Sequence, residues 1–362
     1  MQAFATQKFL EKNGCECIII NYQFPTLWHR YKYVKSLGIV KGIRFIIHLL
    51  KIRFTKRFWI DRKNFNDFKK NNLVLTKKYF FSGQLKKENS KYNLYIAGSD
   101  QIWNPRTTFG DSAFFLGFVK GDLPKIAYSS SISNDSIPCN LRVKYQRYIN
   151  KFNSIGVREQ TAIKLIRDMD CSSIPLQLVC DPTFLLESSD YVQLINQSKL
   201  ILDSDYILVY ALNYSFNPNP ALNNAISNAI EQYKCKVIVF SNPIDYNTPA
   251  TFIKDVSPED FVKLFASAKF IITSSFHGVA FSIIFRKKFL AISPRFGDVR
   301  IIDIINELSL LDNVRYSDET EFLPNFDYPY TKQVESKIKN LRNTSIDFLM
   351  SNINSYYNGK DN

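Results

Sequence analysis

Short apolar runs recur along this 362-residue chain, and each ends at its carboxyl side in small or polar residues. NLYIAGSD ends at Asp100, KIAYSSSIS ends among serines, and LQLVCD ends at Asp181. Amphipathic segments with apolar residues three and four positions apart separate the runs, as in FNSIGVREQTAIKLIRD. This alternation predicts an open parallel α/β sheet, whose ligands bind beyond the carboxyl ends of the strands.

A second cycle of the same kind begins near residue 203. YILVYAL and CKVIVFS read as buried strands, and PALNNAISNAIEQYK reads as a helix between them. In VSPEDFVKLFASAK, Ser257 is a predicted N-cap and Pro258 a predicted first helical residue. The length of the chain also favours two domains. We therefore predict an α/β fold of two doubly wound, Rossmann-like domains over residues 1–190 and 203–330, followed by a helix and tail over 331–362.

The composition sets the expected compartment and argues against a metal site. The chain contains no run of about 18 apolar residues and no signal-peptide pattern, so we expect it to stay in the cytoplasm. Its six cysteines are scattered, and the C-x-C pair Cys15 and Cys17 has no histidine nearby. This spacing predicts free thiols rather than a disulfide framework, and no metal ligands.

Residues 30–70 concentrate the positive charge of the chain. Thirteen Lys and Arg stand there against two acidic residues, a balance of +11 out of +14 for the whole chain, with eight aromatic residues interleaved. Such a basic, aromatic, helical segment can lie on anionic lipid headgroups. It can equally be a solvated helical face whose aromatic residues pack inward. Nucleic acid is not expected as a partner, because no zinc finger, RNP-like strand or basic zipper accompanies the charge.

The segment ITSSFHG, residues 272–278, is the most specific candidate for a binding site. His277 lies between a predicted strand and a predicted helix, beside Ser275 and Gly278. The N-terminus of a helix offers N–H groups to an anion, and glycine lets a backbone approach closely. A histidine buried in the core is the alternative for a single histidine, but its place at a strand end favours a ligand contact.

Two further strand ends carry candidate residues. Arg158, in SIGVREQTA, could bind a carboxylate or phosphate with both arms of its guanidinium, although an arginine at such a place is often a salt-bridge partner. IAGSDQIWNP offers hydrogen-bonding groups and an aromatic ring that suit a sugar, or else forms a capped turn packed by the ring. The predicted acceptor-binding residues there are Asp100, Gln101, Trp103 and Asn104.

These segments, taken together, resemble a known family. IAGSDQIWNP, VREQTA, DPTFLL, SPEDFVKLFASAKFIITSSFHGVAFSIIF and VRIIDIINELSLL are similar, in this order, to the motifs of polysaccharide pyruvyltransferases. The resemblance spans nearly the whole chain. It implies a GT-B-like arrangement of two Rossmann-like domains around a cleft. It also implies transfer of the pyruvyl group of phosphoenolpyruvate onto two hydroxyls of a surface-polysaccharide sugar, with release of phosphate and without a cofactor.

The resemblance also implies roles for particular residues. The donor-binding histidine and arginine of the family fall on His277 and Arg158, which are then the catalytic candidates, with Ser275 and Gly278 beside the donor. A further basic residue is expected after the histidine motif, and Arg300 and Arg295 are the candidates. Family members usually begin with a strand ahead of the helix that matches QAFATQKFL, so we expect the first strand of the N-terminal sheet to be missing.

Two other classes of function share the same architecture. A GT-B glycosyltransferase that uses a nucleotide sugar would have the same fold, and the fold alone does not separate the two. A non-catalytic, sugar-binding member of the family is the second alternative. Competition between phosphoenolpyruvate and nucleotide sugars distinguishes the first alternative, and phosphate release distinguishes the second.

Overall fold

The computed structural model describes residues 1–24, 56–171, 173–213, 216–240, 244–296 and 300–358. The chain divides into two compact units. Unit 1 comprises Met1–Pro182 together with Ser345–Asn362, and unit 2 comprises Thr183–Thr344. Within the described ranges, no helix is both long enough and apolar enough to cross a membrane.

Unit 1 is built on a parallel sheet whose four strands lie side by side in chain order, β1-β2-β3-β4. Helical segments connect the strands, so successive strands run in the same direction and their carboxyl ends lie at one edge of the sheet. The elements are α1 (Gln2–Lys12), α2 (Lys56–Asn72), β1 (Tyr95–Ala97), α3 (Pro105–Thr108), β2 (Lys125–Ser130), α4 (Cys139–Ile149), β3 (Ser154–Val157), α5 (Gln160–Arg167) and β4 (Leu176–Leu178).

The segment CECIIINY has the apolar, β-branched composition of a buried strand, but it forms two isolated parallel bridges. Ile19 pairs with Leu75, and Tyr22 pairs with Tyr79. The second pair is shifted by one residue relative to the first, and this shift interrupts a continuous ladder. Apart from the exposed Glu16, the residues of the segment are half-buried.

The core of unit 1 centres on Trp103, which is fully buried. Its ring stacks on Phe115 with the centroids 5.4 Å apart, and its indole N–H donates to the carbonyl of Phe114 over 3.0 Å. Tyr145 of α4 is also fully buried and donates from its hydroxyl to the Trp103 carbonyl over 2.9 Å. The turn after β1 is therefore held in place by core packing.

Unit 2 contains a six-stranded parallel sheet in the order β10-β9-β8-β5-β6-β7. The chain starts in the middle at β5, builds outward on one side, and then returns to β8 on the other side. The elements are α6 (Val192–Gln197), β5 (Tyr206–Tyr210), α7 (Ala221–Tyr233), β6 (Lys236–Val239), β7 (Thr251–Phe252), α8 (Pro258–Ser267), β8 (Phe270–Thr273), α9 (Phe276–Ile284), β9 (Phe289–Ser293), α10 (Arg300–Leu308) and β10 (Val314–Tyr316). The topological switch point therefore lies between β5 and β8.

The start of α8 confirms the predicted cap. The Ser257 hydroxyl accepts from the Asp260 N–H over 3.1 Å, and the Asp260 carboxylate accepts from the Ser257 N–H over 3.1 Å. Pro258 is the first helical residue, where its missing N–H costs no hydrogen bond. Together with the two parallel sheets, this confirms the predicted fold class of two Rossmann-like α/β domains.

The domain limits in the structure differ from the sequence-based ones. Unit 2 begins at Thr183 rather than near 203, and helix α11 (Lys332–Asn358) is divided between the units at Ser345 instead of forming a separate C-terminal region. In unit 1, the Ser345 hydroxyl accepts from the Cys180 N–H over 2.8 Å. The apolar spacing of a helix predicts that it is buried but does not tell which core buries it.

Most of the basic stretch at residues 30–70 lies outside the described residues, which resume at Lys56. The part that is described belongs to α2 and is helical, as predicted. The proposed contact of residues 30–70 with an anionic membrane thus stays a prediction.

Candidate functional site

Arg158 follows β3 directly, and two carboxylates bind its guanidinium. Nη1 donates to Asp181 Oδ2 over 2.7 Å, and Nη2 donates to Asp100 Oδ1 over 3.0 Å. The side chain of Asp181 is 0% exposed, whereas that of Asp100 is 44% exposed. Asp100, Arg158 and Asp181 follow β1, β3 and β4, so parallel pairing brings them to one edge of the sheet. We call these three residues and Glu159 the Arg158 cluster.

The charge of Arg158 is stabilised by its neighbours. Burial disfavours the charged guanidinium, but Asp181, Asp100 and Glu159 outweigh that effect and raise the pKa of Arg158 above its ordinary value. Asp181 Oδ2 also accepts from Gln2 Nε2 over 2.6 Å, so its carboxylate is held from two sides. Asp100 is the more accessible of the two partners.

Glu159 organises the loop that follows β2. Its Oε1 accepts from the Ser131 hydroxyl over 2.9 Å, from the Ile132 N–H over 2.8 Å and from the Ser133 N–H over 3.0 Å. Glu159 is 2% exposed. Asp100 and Ser133 both have positive φ angles, 65° and 49°, although neither is glycine. Backbone of this kind persists only where its surroundings hold it, and it is enriched at functional sites.

Two of the predicted acceptor-binding residues have structural roles instead. Trp103 is 0% exposed and packs in the core, which corrects the prediction that its ring stacks on a sugar. Asn104 is 6% exposed and caps α3 by accepting from the Arg106 N–H over 2.9 Å. Small polar and aromatic residues occur both in capped turns and in sugar-binding sites, and in this segment Trp103 and Asn104 build a capped turn. Asp100 and Gln101 remain accessible at the strand end.

In unit 2, ITSSFHG forms the turn between β8 and α9, at the topological switch point. Thr273 Oγ1 donates to the Tyr210 carbonyl over 2.7 Å and accepts from the Ser275 N–H over 3.1 Å. Ser274 Oγ donates to the Leu212 carbonyl over 2.9 Å and accepts from the Leu212 N–H over 2.7 Å. The hydroxyls thus join the ends of β5 and β8. We call residues 273–278 the His277 turn.

Gly278 is required by packing within the His277 turn. A Cβ at this position would lie 2.0 Å from Thr273 Oγ1 and 2.8 Å from Thr273 Cβ. Glycine therefore allows the first turn of α9 to approach the end of β8. The close approach predicted for this glycine is made to Thr273.

His277 is the second residue of α9 and is half-buried. Its ring meets that of Phe276 edge to face, with the centroids 5.5 Å apart. Ser275 is the N-cap residue and is 6% exposed. The imidazole therefore lies in the first helical turn, where N–H groups and the helix dipole favour an anion.

The two other predicted basic residues follow the neighbouring strand, β9. Arg295 pairs with Asp318 over 2.7 Å and stacks on the Tyr316 ring, 4.4 Å from its centroid. The hydrogen bond to Asp318 raises the pKa of Arg295. Arg300 is the first residue of α10 and is half-buried. The structure therefore gives Arg295 an exposed protein partner.

Asp181 and Glu159 were not among the predicted site residues. Both lie within segments that the sequence singled out, DPTFLL and VREQTA, directly after predicted strands. The signal in the sequence is a carboxylate directly after a predicted strand, because such a residue lies at the same sheet edge as the predicted arginine. Across the described ranges, no group of three or more His, Cys, Asp or Glu residues is placed to hold a metal ion.

Two parallel-sheet α/β units, with polar side chains gathered at strand ends, define a protein of the Rossmann-like class. The chain belongs to the polysaccharide pyruvyl transferase family, whose family model matches residues 1–295. The match includes Arg158 and His277, and Arg300 lies beyond it. The family makes the protein a transferase.

No curated protein sequence matches the chain. Among solved structures, it is similar to UDP-N-acetylglucosamine 2-epimerase from Rickettsia bellii, with 12% identity over 76% of each chain and a TM-score of 0.46. It is also similar to UDP-GlcNAc 2-epimerase from Methanocaldococcus jannaschii, with 13% identity over 79% of this chain and 90% of that chain, and a TM-score of 0.45. The wall teichoic acid polymerase TagF shows 12% identity over 66% of this chain and 70% of that chain, with a TM-score of 0.39.

Proposed function

We propose that the protein transfers the pyruvyl group of phosphoenolpyruvate onto two hydroxyls of a sugar, forming a cyclic ketal and releasing phosphate. The acceptor is a sugar of a surface polysaccharide or of its lipid-linked precursor. The observation that carries the proposal is the His277 turn. In a chain of this family, it puts an imidazole into the first turn of a helix at the switch point of a parallel sheet.

The His277 turn is suited to the phosphate of the donor. Phosphate is stabilised at helix N-termini by N–H groups and by the helix dipole. An imidazole in the same turn can donate a hydrogen bond and can exchange a proton near neutral pH. The bonds of Thr273 and Ser274 to β5 fix this turn before any ligand arrives, so little reorganisation accompanies binding.

Arg158 is assigned to the donor carboxylate, in exchange for Asp100. A guanidinium binds a carboxylate with two parallel hydrogen bonds, which an ammonium group cannot do. Asp181 is buried and would keep its bond, while the half-exposed Asp100 would be released. A released Asp100 would then be available to accept a hydrogen bond from an acceptor hydroxyl.

The reaction balances with these groups alone. A proton adds to the methylene carbon of phosphoenolpyruvate, and the adjacent carbon becomes electrophilic, so one sugar hydroxyl attacks it. The bond from that carbon to the phosphate oxygen then breaks, and the second hydroxyl closes the ketal. Of the two hydroxyl protons, one ends on the new methyl group and the other on phosphate. His277 is the group proposed to move a proton to the leaving phosphate.

We further propose that the protein works on the cytoplasmic face of the membrane and contacts its anionic lipids through residues 30–70. The charge balance of +11 in that stretch supports this proposal. Polyprenyl-linked acceptors would be presented on the same surface.

The test is phosphate release from phosphoenolpyruvate over a panel of lipid-linked and water-soluble sugars, with nucleotide sugars as competitors. We expect release that depends on the acceptor, saturates with phosphoenolpyruvate and does not respond to nucleotide sugars. Consumption of a nucleotide sugar, or no release with any acceptor, would contradict the proposal.

A further inference from the structure

Residues 77–87 form an exposed turn that the proposed function does not use. The sequence there is KKYFFSGQLKK, and Ser82–Glu88 is a 3₁₀ helix. We propose that this turn, which we call the Phe80–Phe81 tip, binds the surface of an anionic lipid bilayer. The inference goes beyond the proposed function, because it holds whichever donor the protein uses.

Phe80 and Phe81 are adjacent and unusually exposed, at 53% and 62%. Single exposed apolar residues are common on protein surfaces, but two consecutive phenylalanines that are both more than half exposed leave a larger apolar area open to solvent. Phenylalanine is typical of helices and turns that enter the boundary between headgroups and acyl chains.

The tip is held rigidly, so the exposure of its phenylalanines is built into the fold. The Gln84 side chain accepts from the Phe80 N–H over 2.8 Å and from the Phe81 N–H over 3.2 Å. Leu85 is 1% exposed and anchors the turn by packing in the core of unit 1. At the base, the hydroxyl of the buried Tyr79 donates to the carboxylate of the buried Glu88. The two ends of the turn are thus joined.

The charge of the tip complements anionic headgroups. The turn contains four lysines and no acidic residue, and all four lysines are exposed: Lys77, Lys78, Lys86 and Lys87. Each lysine near an anionic surface contributes to binding, and the contributions add. Protein interfaces, in contrast, are depleted in lysine and enriched in arginine. The combination of lysines on both sides of two phenylalanines therefore favours a lipid surface over a protein partner.

The test is co-sedimentation of the full chain with vesicles that contain phosphatidylglycerol, with neutral phosphatidylcholine vesicles in parallel. Phe80→Ser combined with Phe81→Ser should weaken binding to the anionic vesicles about tenfold. Replacing the four lysines by glutamine should weaken it about tenfold to a hundredfold at low salt. Turnover of a water-soluble acceptor should stay unchanged in both variants, which separates this inference from the proposed function.

Matched controls replace the same types of side chain, exposed phenylalanines and cations, outside the Phe80–Phe81 tip. Phe252→Ser combined with Phe296→Ser deletes two phenylalanines that are 54% and 89% exposed, and should leave binding unchanged. A second control replaces four exposed cations of unit 1 by glutamine, at Lys144, Arg147, Lys151 and Lys164. The tip variants are also measured in a background that removes part of the other basic stretch, by glutamine at Lys51, Arg53, Lys56 and Arg57.

Three results would overturn the inference. The first is equal binding of wild type and the Phe80–Phe81 variant to anionic vesicles in both backgrounds. The second is equal binding of wild type to neutral and anionic vesicles. The third is loss of self-association in the tip variants, measured by sedimentation velocity without lipid, with vesicle binding unchanged. That result would make the tip a contact with a second copy.

Discussion

The Arg158 cluster and the His277 turn occupy equivalent places, at the carboxyl ends of parallel strands, but they are built in opposite ways. In the Arg158 cluster, a buried guanidinium is bound by two carboxylates, and a third carboxylate lies beside it. In the His277 turn, hydroxyls and backbone groups hold a helix N-terminus together, and the imidazole is half-buried.

The two regions differ in the groups that an anionic donor would meet in the proposed function. The His277 turn offers a positive helix end whose supporting bonds run back to β5. The Arg158 cluster carries more negative than positive charge, so an anion there competes with Asp100. We therefore expect the His277 turn to determine the chemical step and the Arg158 cluster to determine the donor concentration required.

The largest expected effect is on the stability of the Arg158 cluster. Asp181→Ala removes the buried carboxylate that binds Arg158 Nη1 and should lower the free energy of unfolding by about 3 kcal/mol, because a buried charged N–H of Arg158 and the amide of Gln2 lose their acceptor. Denaturant unfolding measures the change. The matched control is Asp318→Ala, which breaks the exposed pair with Arg295 and should leave the unfolding free energy unchanged. Equal effects of the two substitutions would show that the cluster is not a buried ion-pair site.

His277→Ala should reduce the rate of transfer by roughly 10² to 10³ while the unfolding midpoint stays at the wild-type value. The reason is that the proposed function assigns this side chain to the donor. Steady-state rates with saturating phosphoenolpyruvate measure the loss, and Phe276→Leu serves as a neighbouring control that keeps the imidazole. Turnover close to wild type in His277→Ala would remove His277 from the site.

Gly278→Ala should destabilise unit 2 by about 1–3 kcal/mol, because the added Cβ overlaps Thr273 Oγ1. Adding Thr273→Ala removes that oxygen, so the double variant should lose less stability than the sum of the two single variants. Thermal and denaturant unfolding of the four proteins measure the coupling. Strict additivity would mean that Gly278 and Thr273 do not pack as described.

The smallest expected effects concern how the donor competes with Asp100. Asp100→Asn removes the competing charge and should lower the KM for phosphoenolpyruvate about tenfold, whereas Arg158→Lys should raise it by a similar factor because lysine lacks the planar fork. Both are measured from the dependence of rate on donor concentration. An unchanged KM in both variants would mean that Arg158 has only a structural role and that residues of unit 2 bind the donor.

The two regions also differ in how far the sequence predicts them. Strand ends and the cap at Ser257 follow from local patterns, and the structure confirms that cap. The partners of Arg158 do not follow from local patterns. Asp100 and Asp181 are far apart in the chain, and only the order of the strands in the sheet brings them together. Trp103 shows the converse limit. Its neighbours in sequence suit a sugar, but its burial depends on Phe115 and Tyr145, which come from later elements.

In the proposed function, the pyruvyl group of phosphoenolpyruvate becomes a ketal on a sugar through the His277 turn. The direct measurement uses phosphoenolpyruvate labelled with carbon-13 at its central carbon, and carbon NMR of the purified acceptor after reaction with wild type and with His277→Ala. We expect a labelled ketal carbon bonded to two sugar oxygens with wild type, and almost none with the variant. Label found only in free pyruvate would rule out ketal formation, and equal ketal formation by both proteins would rule out a role for His277.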